Sequence, residues 1–288
     1  MAGPVAGDNA VVPLSYVLPL RVDAPDAELV AYVTRLAELV DEVIVVDGSA
    51  AEVFAAHHRS LPSTVCHVGV DPDLHTPNGK VGGVLTGLRR AAHDKVVVAD
   101  DDVRWRAGQL AVVERLLDRY EVVRPQNAFS PLPWHARWDT GRMLVNRAMG
   151  GDWPGTLGVQ RSVLLAAGGY AGDVMFENLE LVRTVQAAGG REHVALDVIV
   201  ERRPPSTRQF FDQRVRQAYD ELARPRRLVA QLALLPLVAV GGRRAAAVAA
   251  GSAVAVAAVG RRRAGGRHAF PASAPLWAPL WVAERGLT

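Results

Sequence analysis

Three consecutive carboxylates, Asp100, Asp101 and Asp102, directly follow the apolar run Lys95-Val96-Val97-Val98-Ala99. At the carboxyl end of a buried strand they repel one another and require a compensating cation. Carboxylates at i and i+2 offer hard oxygen donors, which suit Mg2+ or Mn2+ bridging a diphosphate. Asp100 and Asp102 are therefore the expected metal ligands, although an acidic triplet taken alone also fits a solvated turn. A second candidate is Asp47 in Val45-Val46-Asp47-Gly48-Ser49. At a strand end its carboxylate can accept hydrogen bonds from a base or ribose, and Gly48 lets the backbone turn closely. Alternatively, Asp47 or Ser49 caps the helix that follows. Third, Asn78-Gly79-Lys80-Val81-Gly82-Gly83 opens a helix, where Lys80 and free backbone amides favour phosphate. The segment lacks the G-x-x-x-x-G-K-[ST] spacing of a P-loop.

These residues need a frame, and residues 1 to about 200 supply alternating strands and helices. Ser15 to Leu18, Val43 to Val46, Thr64 to Val68 and Lys95 to Ala99 read as apolar strands. Asp26 to Val40, Val81 to Ala92 and Gly108 to Arg119 carry apolar residues at helical spacing. Apolar strands alternating with such helices predict an α/β fold with a mostly parallel sheet covered on both faces. Ligands then belong beyond the carboxyl ends of the strands.

The order and spacing of the three motifs resemble family 2 glycosyltransferases, most nearly the ceramide glucosyltransferase-like branch. The likeness covers roughly residues 12 to 225. Gly79-Lys80-Val81 and Asp100-Asp101-Asp102-Val103-Arg104 match a lysine-bearing segment followed by D-x-D-[IV]-R. Tyr16-Val17-Leu18-Pro19-Leu20-Arg21 looks like the first strand and its proline. The resemblance implies a GT-A fold, with Pro19, Leu20, Arg21 and Asp47 at the nucleoside. It also implies a divalent metal and a nucleotide-sugar donor, UDP-sugar ahead of GDP-sugar, transferred with inversion. The family's Glu-Asp after Gly-Gly-[FY] falls on Gly168-Gly169-Tyr170 and Phe176-Glu177-Asn178-Leu179-Glu180. Asn178 stands where the resemblance expects the base, and an amide accepts no proton, so Glu177 or Glu180 must serve. Glu177 is preferred, since Glu180 sits a turn deeper on a helix starting here. The late [QR]-x-x-R-W motif matches at Gln213 and Arg216, with Gln217 in place of tryptophan. Arg216 would steady the leaving diphosphate as a forked cation, unless it lies on a solvated helix face.

Other features set limits. His57, His58, His67, His75 and His93 show no H-E-x-x-H or other metal spacing. A single cysteine, Cys66, excludes an intramolecular disulfide framework. Met1 to Ala10 has neither the basic nor the apolar region of a secretory leader. Trp134, Trp138 and Trp153 lie in a Pro/Gly-rich stretch and offer flat faces to an acceptor or to ordinary packing. From Arg202 to Arg267 there are fourteen arginines against three acids, Asp212, Asp220 and Glu221. They bracket two apolar runs, Leu228 to Val240 and Ala245 to Val259, joined by Gly241-Gly242-Arg243-Arg244. Arginines flanking apolar runs without interleaved aromatics favour an anionic membrane surface over nucleic acid. Each run is shorter than a spanning helix. The expectation is a helical hairpin at the membrane, or one packed on the domain.

Residues 1–225 thus read as a GT-A catalytic domain and 226–288 as a membrane-associated tail. The acceptor is expected to be lipid- or polyprenyl-linked, at the cytoplasmic face of the membrane. High alanine, arginine and glycine content points to a bacterial source. The alternatives are a catalytically degenerate scaffold protein, which Asn178 and Gln217 encourage, or a nucleotidyltransferase. The latter expects a glycine-rich loop after the first strand, where Pro19 to Pro25 has none. A Rossmann dehydrogenase would need G-x-G-x-x-G at the same place.

Overall fold

A computed structural model describes residues 11–223 and 225–287. The leader reading of Met1 to Ala10, Arg224 of the basic stretch and the end at Thr288 lie outside the described residues. The chain forms two compact units, Met1–Pro125 with Pro154–Val200, and Gln126–Trp153 with Glu201–Thr288.

The first unit opens with β1 (Val12–Leu20), α1 (Ala27–Leu36), β2 (Val40–Asp47), α2 (Ala51–Ser60), β3 (Val65–Val68) and α3 (Gly79–Arg90). It continues through β4 (Lys95–Ala99), β5 (Val103–Arg104), α4 (Ala107–Leu116) and the first part of β6 (Val122–Phe129). The chain then leaves for the second unit, which begins with the end of β6 and α5 (Trp134–Ala148). It returns with β7 (Thr156–Gln160), α6 (Arg161–Ala166), α7 (Glu177–Ala187) and most of β8 (Glu192–Arg202). The strands form one sheet in the order β3-β2-β1-β4-β7-β6-β8-β5. The β3-β2-β1-β4 half is parallel, whereas β7 runs antiparallel to both β4 and β6. The parallel half is the part legible as apolar runs. β6 was not, because it buries Arg124, Gln126 and Asn127. Such burial is tolerated only with partners, as where Arg124 Nε donates to Glu192 Oε1 at 2.7 Å.

Two local features position the candidate residues. Asp26 caps α1, accepting from the amides of Glu28 and Leu29. That helix stops at Leu36, short of the Val40 expected from its apolar spacing. Val40 instead opens β2 opposite Val12, buried in the ladder, so strand pairing overrides helical period. α3 lies tight on β1 because its inner face is glycine. A Cβ at Gly87 would meet Val17 Cγ1 at 2.3 Å, and one at Gly83 would meet Pro19 Cβ at 2.9 Å. This approach brings the first turn of α3 to the carboxyl ends of the strands.

In the second unit, α8 (Thr207–Asp220) is followed by α9 (Pro225–Arg262), α10 (Gly266–Ala269) and α11 (Ala278–Leu287). α9 is two helical stretches that meet at Gly242, whose φ of 59° and ψ of −151° no helix contains. The two apolar runs thus join at the Gly-Gly pair. The second run buries Ala253 and Ala257, and a Cβ at Gly260 would strike Leu144 O of α5 at 1.9 Å. This part of the tail is therefore packed on α5.

Candidate active site

In the first unit the carboxyl ends of β1, β2 and β4 lie on one edge, with Leu20 paired to Asp47 in register. The three acids begin one residue beyond β4. The Asp100 amide donates to Gly155 O at 2.7 Å, and the Val103 amide turns back to Asp100 O at 3.2 Å. Arg104, the last residue of the D-x-D-V-R match, holds this turn. Its Nη1 donates to the carbonyls of Asp101 (2.5 Å) and Val103 (2.9 Å), and its Nη2 donates to Glu28 Oε2 at 2.6 Å. It stacks 4.5 Å from the centre of the Tyr32 ring. Its role is to shape the acidic turn.

Lys80 joins the two acidic motifs, pairing with Asp100 and with Glu177, which lies 97 positions further along the chain than the lysine. Asn78 caps α3 and accepts from the Lys80 amide, which fixes the first turn. Lys80 Nζ then lies 2.6 Å from Asp100 Oδ1 and 2.7 Å from Glu177 Oε1, the first residue of α7. Burial alone would lower the pKa of this ammonium. The charges of Asp100 and Glu177 outweigh it and raise the pKa well above the ordinary lysine value. Asn178 donates to Pro154 O at 2.9 Å and offers Oδ1 to Lys80 at 3.4 Å, so the amide helps hold the lysine. Gly168 and Gly169 both adopt positive φ, 81° and 88°, leading into Tyr170. Burial raises the phenol pKa of Tyr170, with Lys80 opposing and Glu177 and Asp100 adding to the rise. The acids and Tyr170 therefore surround one cation.

The carboxylates at this locus offer the oxygen donors a hard divalent ion prefers, and Asp100 and Glu177 already stabilise the positive charge of Lys80.

At the position expected for the nucleoside, two loops form a clasp. The Gly48 amide donates to Leu20 O at 2.8 Å, and the Val22 amide donates to Ser49 Oγ at 3.0 Å. Pro19 is half-buried and Arg21 exposed at the rim of this clasp. Asp47 lies beneath it, 2% exposed. Its Oδ1 accepts from the Ser49 amide at 2.9 Å, and its Oδ2 accepts from His57 Nδ1 at 2.7 Å and His67 Nε2 at 3.2 Å. Burial works to raise its pKa, but the hydrogen bonds from His67, Ser49 and His57 prevail and hold it well below the usual carboxylate range. α2 starts from Ala50 without a side-chain cap, so neither Asp47 nor Ser49 caps it. The histidines are residues that sequence spacing missed. They come from α2 and β3, and only folding brings them to Asp47.

The second unit carries the other expected residues. On α8, Arg216 is exposed and Gln213 half-buried. The neighbouring Arg214 is the buried arginine. Its Nη2 donates to Asp139 Oδ1 at 2.5 Å, and its guanidinium lies 4.3 Å from the centre of the Phe210 ring. Arg142 grips the same carboxylate through Nε (2.8 Å) and Nη2 (3.1 Å), and donates from Nη1 to Asp152 Oδ1 at 2.7 Å. Trp134 and Phe211 remain about half exposed beside Phe210, forming an aromatic surface on this unit.

No protein-family model matches the sequence, and no curated protein resembles it in sequence. Among solved structures, the chain is similar to the mannosyltransferase PcManGT from Pyrobaculum calidifontis, solved with GDP-Man and Mn2+. That match has 18% identity, covers 97% of this chain and 88% of the other, and has a TM-score of 0.54. Glucosyl-3-phosphoglycerate synthase from Mycobacterium tuberculosis, solved with Mn2+, UDP and phosphoglyceric acid, matches at 19% identity. Coverage is 68% of this chain and 72% of the other, with a TM-score of 0.46. Mannosyl-3-phosphoglycerate synthase from Rubrobacter xylanophilus matches at 19% identity, over 76% and 74%, with a TM-score of 0.45. With the strand order and parallel half-sheet described above, the first of these likenesses establishes that the chain has the GT-A fold.

Proposed function

We propose that the chain is an inverting, metal-dependent glycosyltransferase acting on a lipid- or polyprenyl-linked acceptor. The observation that carries this reading is the Lys80 ammonium held between Asp100 and Glu177 at the carboxyl edge of the parallel strands. Bound by Asp100 and Asp102, a divalent ion would supply Lewis-acid neutralisation of the donor diphosphate. The residues of the chain do the rest. The Pro19–Arg21 loop and the Gly48–Ser49 turn receive the nucleoside, and Asp47 acts by fixing that turn. Lys80 exchanges its carboxylate partners for phosphate oxygens. Glu177 takes the proton of the acceptor hydroxyl as its oxygen bonds to the anomeric carbon. The bond to the nucleoside diphosphate breaks, and the diphosphate departs with the electron pair. Gln213 and Arg216 are proposed to steady that diphosphate. Asp101 contributes through the turn that Arg104 holds.

The nucleotide is tested by thermal unfolding with UDP or GDP, with and without Mn2+. The resemblance favours UDP, whereas the mannosyltransferase of like fold was solved with GDP-Man. A nucleotide at ~100 times its Kd stabilises by about 2.7 kcal/mol, a readily visible Tm rise. We expect a Mn2+-dependent rise with one nucleotide, absent in Asp102→Ala. No rise with either nucleotide would sink the transferase reading and leave the scaffold alternative.

Residues 226–288 are proposed as the membrane contact at the cytoplasmic face. Leu228–Arg262 is long and apolar enough to cross a membrane by composition, but its break at Gly242 suits a helix pair lying in the interface better. Val229, Leu237, Val240 and Val248 are 65–91% exposed, and Arg243 and Arg244 are exposed beside them. An apolar surface rimmed by arginine matches an anionic bilayer, where each basic residue contributes about 1 kcal/mol. The protein should co-sediment with vesicles containing anionic lipid and bind them at least about tenfold more weakly as Arg243→Glu/Arg244→Glu. Equal binding by that variant, or none by wild type at low salt, would refute the membrane contact.

A further inference from the structure

The cluster beneath the nucleoside clasp has a composition unlike that of the acidic turn. Among the described residues, Asp47, His57 and His67 form the trio of potential metal ligands whose donor atoms all lie within 4.8 Å of one another. Two imidazoles and one carboxylate are a borderline donor set, preferred by Zn2+, Co2+ or Ni2+ over Mg2+ or Mn2+. We infer that Asp47, His57 and His67 form a second metal site, for a zinc-class ion, distinct from the oxygen-only site expected at Asp100 and Asp102.

The geometry is close to what such an ion requires. Bonds of about 2.0–2.1 Å in a tetrahedral arrangement place ligand atoms about 3.3 Å apart. His67 Nε2 is already 3.2 Å from Asp47 Oδ2, and His57 Nδ1, at 2.7 Å, needs to draw back by only about half an ångström. The side chains are closed off from solvent, with Asp47 fully buried and His57 and His67 2–3% exposed. Outer partners orient two of the three ligands, Asp47 and His67, in the manner of metal sites. The Ser49 amide holds Asp47 Oδ1, and Phe54 stacks on the His67 ring at 4.3 Å. The remote nitrogen of His67, Nδ1, lies 3.3 Å from His58 Nδ1. When the ion takes His67 Nε2, the ring proton resides on Nδ1 and His58 is placed to accept it. The three ligands come from β2, α2 and β3, so the ion would staple these elements together. Through Ser49 it would also stiffen the clasp on the β1 loop.

The inference stands apart from the transferase reading, and metal type separates the two. Cobalt serves as a spectroscopic stand-in for zinc and is titrated into the full chain carrying Asp100→Asn and Asp102→Asn, which disables the acidic turn. We expect one equivalent bound with the visible absorption of a four- or five-coordinate cobalt ion, displaced by Zn2+ but not by excess Mg2+. The band should be lost in His57→Gln and in His67→Gln, with circular dichroism confirming that each variant is folded. Zn2+ should also raise the Tm of the wild-type chain by several degrees. Absence of the band in both the wild-type chain and the Asn variant would overturn the site whatever the histidine variants do. So would a band that persists in both histidine variants.

Discussion

Replacing Glu177 by Gln should reduce sugar transfer by about three orders of magnitude while leaving donor binding intact. General-base catalysis typically contributes 10²–10⁴-fold, and an amide of the same shape keeps the position but accepts no proton. The ground-state contact with Lys80 makes the prediction specific. Glu177 Oε1 is occupied by that ammonium at 2.7 Å, so an acceptor hydroxyl reaches this oxygen only after Lys80 has turned to the donor phosphates. Two further variants therefore separate the roles. Lys80→Met should weaken donor binding as well as turnover, because the same cation serves the diphosphate. Glu180→Gln should leave both nearly unchanged, since Glu180 lies one turn further along α7. The measurements are single-turnover transfer rates and nucleotide-dependent Tm shifts for each variant. If Glu180→Gln removed activity and Glu177→Gln did not, the assignment would pass to Glu180.

Asp139→Ala should be the most damaging single change to the stability of the second unit, costing about 3–5 kcal/mol. Asp139 is 6% exposed and accepts from both Arg142 and Arg214. Truncation takes the shared carboxylate from two guanidinium groups in a buried region, leaving Arg142 with Asp152 at 2.7 Å and Arg214 with only the longer contact to Glu284 at 3.4 Å. The loss should depend on pH in a defined direction. Burial by itself would raise the pKa of Asp139, but the charges of Arg142 and Arg214 prevail and hold it well below the ordinary value. A depressed carboxylate pKa contributes stability above the unfolded-state pKa of about 4 and loses it as pH falls through the folded value. Urea unfolding should accordingly show a constant gap between wild type and variant above about pH 5, narrowing below about pH 4. A gap that instead widened in acid would show that Asp139 is not held as the carboxylate of this network.

How much of this was legible follows from where each signal is stored. The parallel strands β1, β2 and β4 are short apolar runs ending in candidate site residues, so sequence alone identified the strands. The Asn78-Gly79-Lys80 helix start is equally local, and it places Lys80. β6 escaped because its buried residues are polar and gain their partners only across the sheet. The α1 boundary escaped because Val40 satisfies helical spacing and strand pairing alike, and only its partner Val12 decides between them. On α8 the motif match drew attention to Gln213 and Arg216. Burial singles out Arg214, a difference that depends on which face meets Asp139.

The sequence by itself determined the chemistry available: an acidic strand end, a lysine at a helix start, a carboxylate at a second helix start and an arginine-flanked apolar tail. Those signals rest on neighbours within a few positions, where chain geometry is fixed by local sterics. Tertiary structure alone decided the pairing, setting Lys80 between Asp100 and Glu177 and gathering His57 and His67 onto Asp47. Such contacts join residues ten to a hundred positions apart, and no local pattern encodes them, because they form only when burial of the sheet and its covering helices brings the strand ends together.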